Sequence, residues 1–179
     1  MSDARGTRGF DPEEIIRVLA RHGVRYVLVG GVAARLHGSP TLTEDVDVTP
    51  ERSADNLGRL AAALGDLSAR LAVPDVDEGL AIPLDERTFN APVMKFTTRA
   101  GEVDVVLETL AAGDYAVLAP RAVTYEVFGL RLAVASLDDI IASKAASDRP
   151  KDRAHLPVLR QLARELASPR DAAGETHRY

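Results

Sequence analysis

Residues 27–48 read VLVGGVAARLHGSPTLTEDVDV, and the fold turns on this stretch. Val27, Leu28 and Val29, with Arg25 and Tyr26 before them, form a β-rich run, the mark of a buried strand. Gly30-Gly31 ends it, and residues 32–37 read as a short helix that Gly38-Ser39-Pro40 breaks. Two glycines after a buried strand let a ligand approach the backbone, and the following helix points free N–H groups at the same spot, which suits a phosphate. A plain tight strand–helix turn accounts for these residues as well. Residues 44–49 then alternate acid and valine. Residues two apart on a strand share a face, so Asp45 and Asp47 project one way while Val46 and Val48 project the other. No adjacent lysine or arginine relieves the two anions, whereas a hard divalent cation would; magnesium favours one or two carboxylates plus substrate phosphates. The bland alternative is a solvated acidic face.

The pattern returns downstream. Glu102-Val103-Asp104 again places two acids on one face, with Val103 and Val105 on the other. If this strand neighbours the DVDV strand at a spacing of about 4.8 Å, the acids converge. Such convergence suits a two-metal site with ions about 4 Å apart. Asp45, Asp47 and Asp104 are then the metal ligands, and Glu102 is peripheral. Surface acids on an edge strand remain the alternative. Lys144 is the next signal: Leu137, Ile140, Ile141 and Lys144 share one apolar helical stripe, so a lysine stands where a core residue is expected. It either snorkels near the helix end or aims its cation into a cleft, towards triphosphate. Asp148, Arg149, Lys151 and Asp152 cluster just beyond, as a solvated helix start or as substrate contacts.

Around these motifs the chain reads as one domain of mixed α/β (α+β) type, a small mixed sheet flanked by helices. A loose arm is expected over 1–10, a core that carries these motifs over 11–135, helices packed on it over 136–167 and a polar tail over 168–179. Asp11-Pro12-Glu13-Glu14 starts a helix that Gly23 stops. A helix is expected over about 52–72, and a long irregular connection over 73–91. Strands are expected at 92–98 and 102–107 about Ala100-Gly101, and a hairpin at 122–127 and 130–134 across Phe128-Gly129. A helix follows Ser136, and a last one over 151–167 is strained near Pro157.

Composition sets the outer limits. The 179 residues are 46% apolar and 27% charged, so a packed core rather than disorder is expected. There is no cysteine, which excludes disulfides and thiolate metal sites and fits a reducing compartment. No apolar run approaches a membrane span, and the N-terminus is too polar for a signal peptide, so a cytoplasmic protein is expected. Acids outnumber bases 27 to 22, for a net charge of −5, which argues against coating long DNA or RNA but leaves a local RNA contact open.

The stretch 27–48, followed by the later VDVV strand, resembles the nucleotidyltransferase superfamily related to DNA polymerase β. The continuation SLDDIIASKAASDRPKDRAHLPVL (136–159) resembles the matching region of AbiEii/MenT-type toxin nucleotidyltransferases. The resemblance implies a minimal polymerase β-like fold. It implies transfer of a nucleotide from an NTP such as ATP to an acceptor hydroxyl with release of pyrophosphate. Two Mg²⁺ ions, which Mn²⁺ can replace, would sit on Asp45, Asp47 and Asp104. Gly30 and Gly31 would form the nucleotide-binding turn, Lys144 would contact substrate, and Thr43 stands where some relatives carry a modified hydroxyl. Gly31 replaces the serine of many members, so one hydroxyl contact to phosphate is missing. The implied acceptor is the 3′ end of tRNA, with a cognate antitoxin as partner. Transfer to a protein or to a small molecule such as an aminoglycoside is the second reading, and a non-catalytic antitoxin-like module the third.

Overall fold

The computed structural model describes residues 9–167. The expected tail, and all of the expected arm but Gly9 and Phe10, lie outside the described residues. Asp11 opens the first helix, α1 (Pro12–Arg21), and its carboxylate accepts the Glu14 N–H at 3.0 Å. Pro12 needs no donor at this position, and the acids of the first turn suit the positive helix end. Ile15, Ile16, Val18 and Leu19 bury one face of α1.

The chain then runs through β1 (Tyr26–Val29), α2 (Gly30–Leu36), β2 (Asp45–Pro50) and α3 (Ala54–Asp66). It continues through β3 (Arg70–Val73), β4 (Val76–Leu80), β5 (Val93–Thr98) and β6 (Gly101–Val106). A small separate hairpin of β7 (Glu108–Thr109) and β8 (Gly113–Asp114) leads to a one-turn helix, α4 (Tyr115–Leu118). β9 (Val123–Val127), β10 (Leu130–Val134), α5 (Leu137–Ser147) and α6 (Pro150–Ala167) complete the described chain. The eight-stranded sheet has the order β4-β3-β5-β6-β2-β1-β10-β9. It is mostly antiparallel; β2 with β6 and β1 with β10 are the parallel pairs. Val46, Val48, Val103 and Val105 are fully buried, and α1 and α3 pack on each other and on β2. α5 packs on α2 and α6.

Two expectations fail in the same region. The helix expected over 52–72 ends at Asp66, because Ser68 takes a left-handed conformation (φ 56°) and turns the chain back into β3. The connection expected to be irregular over 73–91 instead begins with a β3–β4 hairpin, turned by Pro74 and a left-handed Asp75. Both strands are short, β4 lies at the sheet edge, and most of β4 is exposed. Backbone pairing makes them, so the VDEGL stretch carries no apolar rhythm for the eye to follow. α2 also starts earlier than expected, at Gly30 itself.

One buried side chain ties the centre together. Asn56, fully buried at the start of α3, accepts the Arg25 N–H at 2.7 Å and donates to the carbonyls of Arg25 and Glu51 at 2.8 Å each. It thereby clamps the entry to β1 against the exit of β2. Asn56→Ala leaves these buried backbone groups unpartnered and is expected to cost about 2–4 kcal/mol in urea denaturation.

Candidate active site

Strand register brings the acids together. β2 and β6 run parallel with Asp45 opposite Glu102 and Asp47 opposite Asp104. Carboxylate oxygens of Asp45, Asp47 and Asp104 all lie within 4.8 Å of one another. Glu102 is exposed and stands outside this trio, although it borders the same cleft.

The turn before α2 makes room for them. A β-carbon on Gly30 would lie 2.0 Å from Asp47 Oδ2, and Gly30 has φ +67°. A β-carbon on Gly31 would lie 2.4 Å from Thr43 Oγ1. Both positions therefore require glycine, one for conformation and space and the other for space. The Gly31 N–H donates to Asp47, so the turn steadies a carboxylate as well as baring its backbone. Thr43 donates its hydroxyl to Asp45 Oδ1 at 2.6 Å and so orients a second one.

A lysine not recognised in the sequence completes the cluster. Sequence neighbours leave the acids unrelieved, but Lys95 of β5 faces Asp104 directly across the β5–β6 hairpin, and its ammonium pairs with Asp104 Oδ2. The hairpin about Ala100-Gly101 was legible, and counting back from that turn places Lys95 opposite Asp104. Burial pushes the Asp104 carboxyl up, against the pull of Lys95. Burial, with Asp45 and Asp104 close by, pushes Asp47 up to about 7. Burial works to lower Lys95, but its bond to Asp104 and the charges of all three acids outweigh it and raise the ammonium.

The donor set fits a hard divalent cation. Three carboxylates converge, and Asp104 Oδ1 is buried with no hydrogen-bond partner. An oxygen left without a donor is costly unless something positive approaches it.

Lys144 reaches the cleft with its side chain only 15% exposed, and its ammonium bonds Asp152 Oδ1 at 3.0 Å. Asp152 is no solvated helix-start acid. It is fully buried, and Ser147, Arg149 and Lys144 all donate to it. Burial works to raise this carboxyl, but the three donors win and hold it down at about 2. Asp152 therefore positions Lys144 and Arg149 at the cleft wall. Asp148 ends α5 in a left-handed conformation and pairs with Arg153 at the surface.

Two adjoining cavities meet at the carboxylates. A polar one of about 760 Å³ is bordered by Gly31, Ser39, Thr43, Lys144, Lys151 and His155. A more apolar one of about 320 Å³ adjoins it. Gly30, Asp47, Lys95, Asp104, Lys144 and Arg149 border both.

No family model and no curated protein sequence matches the chain. Solved structures do. The lincosamide antibiotic adenylyltransferase LnuA, bound to lincomycin, aligns over 86% of this chain and 99% of its own, with TM-score 0.57 and 14% identity. ANT(2″)-Ia in complex with adenylyl-2″-tobramycin aligns over 86% of each chain, with TM-score 0.53 and 17% identity. The solution structure of the antibiotic-resistance factor ANT(2″)-Ia aligns over 86% of this chain and 80% of its own, with TM-score 0.51 and 18% identity. The chain has the nucleotidyltransferase fold. At these identities the likeness reaches the fold and no further, and the narrower AbiEii/MenT-type resemblance rests on the motifs alone. Within the nucleotidyltransferase fold, Gly30, Gly31, Thr43, Asp45, Asp47, Asp104 and Lys144 all border one two-lobed cleft.

Two tests follow from this geometry. Gly30→Ala drives a methyl group into Asp47 and forces a left-handed alanine, so Mn²⁺ affinity should fall at least tenfold and stability by more than about 1 kcal/mol. Gly58→Ala, in α3 with open space around it, is the control and should stabilise the fold by up to about 1 kcal/mol. The second test is pH. Near the ordinary carboxyl value of 3.8 and below, folded and unfolded chains both hold the Asp47 proton; between there and about 7 only the folded chain does. In divalent-free buffer, urea midpoints should therefore fall as pH rises from about 4 to about 7, and level off above. Asp104 acts in the same direction. Asp47→Asn should remove most of the slope.

Proposed function

We propose that the protein is a divalent-metal-dependent nucleotidyltransferase that moves an NMP from an NTP to an acceptor hydroxyl. The observation that carries this is the Asp45–Asp47–Asp104 cluster, with one buried oxygen unpartnered, at the junction of a polar and an apolar cavity. The triphosphate lies in the polar cavity, where Lys144, Arg149 and Lys151 supply positive charge and the Gly30-Gly31 turn lets phosphates approach the backbone. Asp45, Asp47 and Asp104 would hold the metal, Mg²⁺ or Mn²⁺. When bound, it neutralises the triphosphate and makes the acceptor hydroxyl a better nucleophile. The acceptor oxygen attacks the α-phosphorus, the bond to the β-phosphate oxygen breaks, pyrophosphate leaves and the hydroxyl proton passes to water. Thr43 orients Asp45, Gly31 steadies Asp47, and Lys144 stabilises the charge that builds on the leaving group. Little covalent chemistry falls to the protein; alignment and fixed charge do the work.

Two acceptors are in play. The 3′ end of tRNA, with the protein as a cytoplasmic toxin under an antitoxin, rests on the AbiEii/MenT-type resemblance. A small molecule rests on the antibiotic adenylyltransferases that share the fold. Of the bases over 149–153, Arg149 is engaged with Asp152 and Arg153 with Asp148, while Lys151 borders the polar cavity. Among the N-terminal arginines, Arg17 pairs with Glu13 and Arg25 with Glu51.

Incubation with each α-labelled NTP and Mg²⁺, together with total tRNA, a protein extract or a small-molecule pool, identifies the acceptor. Label should pass to one of these, and Asp45→Ala should reduce transfer more than about 100-fold while the fold survives. Full activity in that variant would refute the ligand assignment.

A further inference from the structure

The apolar cavity has no role in the reading so far, and its placement gives it one. We infer that it is the acceptor site, and that it takes a small, uncharged or weakly charged alcohol with an apolar body. This rests on the nucleotidyl-transfer reading.

β6 runs from one lobe to the other: Gly101 and Glu102 border the polar cavity, Asp104 borders both, and Val106 borders the apolar one. Asp47 and Asp104 thus stand where the lobes meet, with Asp45 in the polar lobe. In phosphoryl transfer the attacking and leaving oxygens lie roughly in line. With pyrophosphate in the polar lobe, beside Lys151 and His155, the attacking hydroxyl enters from the other lobe, across Asp47 and Asp104. The acceptor O–H gives up its proton to water, its oxygen forms the new bond to the α-phosphorus, and the bond to the β-phosphate oxygen breaks.

Val93, Val106, Leu110, Ala112, Leu118 and Ile140 build the wall. Val93 and Leu110 are 47% and 58% exposed, so the mouth is apolar as well as the floor. At about 320 Å³ the cavity is at the small end of ligand pockets. The two acids beyond the catalytic cluster do not make it a polycation site. Asp139 is already bonded by Arg121 at 2.8 Å and by the Ser136 hydroxyl at 2.7 Å, and Glu108 is exposed at the rim. No aromatic ring borders the cavity among the described residues, so an unstacked RNA base finds no platform of that kind there. An aminoglycoside would meet too few free acids, and the cations that border the cavity, Lys95, Lys144 and Arg149, are already paired with Asp104 and Asp152.

The test uses the full chain without metal or NTP, so it judges the cavity apart from the reaction. Saturation-transfer NMR and calorimetry are run with lincomycin and n-octyl β-D-glucoside, which carry hydroxyls on an apolar body, and with tobramycin as the polycation. The two apolar-bodied probes should bind, tobramycin should not, and Leu110→Asp and Val93→Trp should each weaken binding roughly tenfold or more. Mn²⁺ titration of both variants should match the parent and show an intact carboxylate cluster. Binding of neither apolar-bodied probe, or binding that both substitutions leave unchanged, would overturn the inference. The label-transfer assay judges the reaction separately. Transfer to tRNA that survives both substitutions would keep nucleotidyl transfer and remove the apolar cavity from it.

Discussion

Everything in this molecule is arranged around the parallel register of β2 with β6. That register sets Asp47 beside Asp104, with Asp45 one step along the same strand face. The valines between the acids seal the opposite face into the core, so neither strand can slip by one residue without turning acids inward and valines outward. Hydrophobic burial on one side of the sheet therefore holds like charges together on the other.

Such a cluster is unfavourable in isolation, and the surrounding residues offset the cost in different ways. Gly30 and Gly31 yield the space that side chains would otherwise take. Lys95 supplies one cation from the neighbouring strand. Asp47, pushed up to about 7, relieves repulsion by keeping its proton in mildly acidic solution. One oxygen of Asp104 is still without a partner, an opening that suits a divalent ion. On the cleft wall the logic is inverted: Asp152 is buried so that two cations, Lys144 and Arg149, are held towards the cleft. A buried acid with three donors adds little net stability, but it fixes direction.

Much of this was legible in the sequence because strand alternation is a strong signal when one face is fully buried. DVDV and EVDVV announced both acidic strands, and strand-Gly-Gly-helix announced the turn beside them. Lys144 stood out by breaking an apolar stripe. What was hidden depended on pairing rather than pattern. Lys95 becomes visible only once the β5–β6 hairpin is written in register. The β3–β4 hairpin lies at the exposed sheet edge, where no apolar rhythm is required. Asp152 sits in DRPKDR, a run that reads as solvated charge, and only the packing of α6 on α5 shows it to be fully buried. The apolar cavity draws on residues 107–118, a segment whose short hairpin and single helical turn leave no periodic trace.

The central claim is that the three carboxylates bind divalent ions. Anomalous diffraction from crystals soaked in Mn²⁺ and a non-hydrolysable NTP analogue tests it most directly. The account predicts Mn²⁺ peaks at about 2.2 Å from oxygens of Asp45, Asp47 and Asp104, with Asp104 Oδ1 among the ligands. Saturating Mn²⁺ with no peak among these residues, or with Lys95 still paired to Asp104 and all ions bound elsewhere, would contradict it.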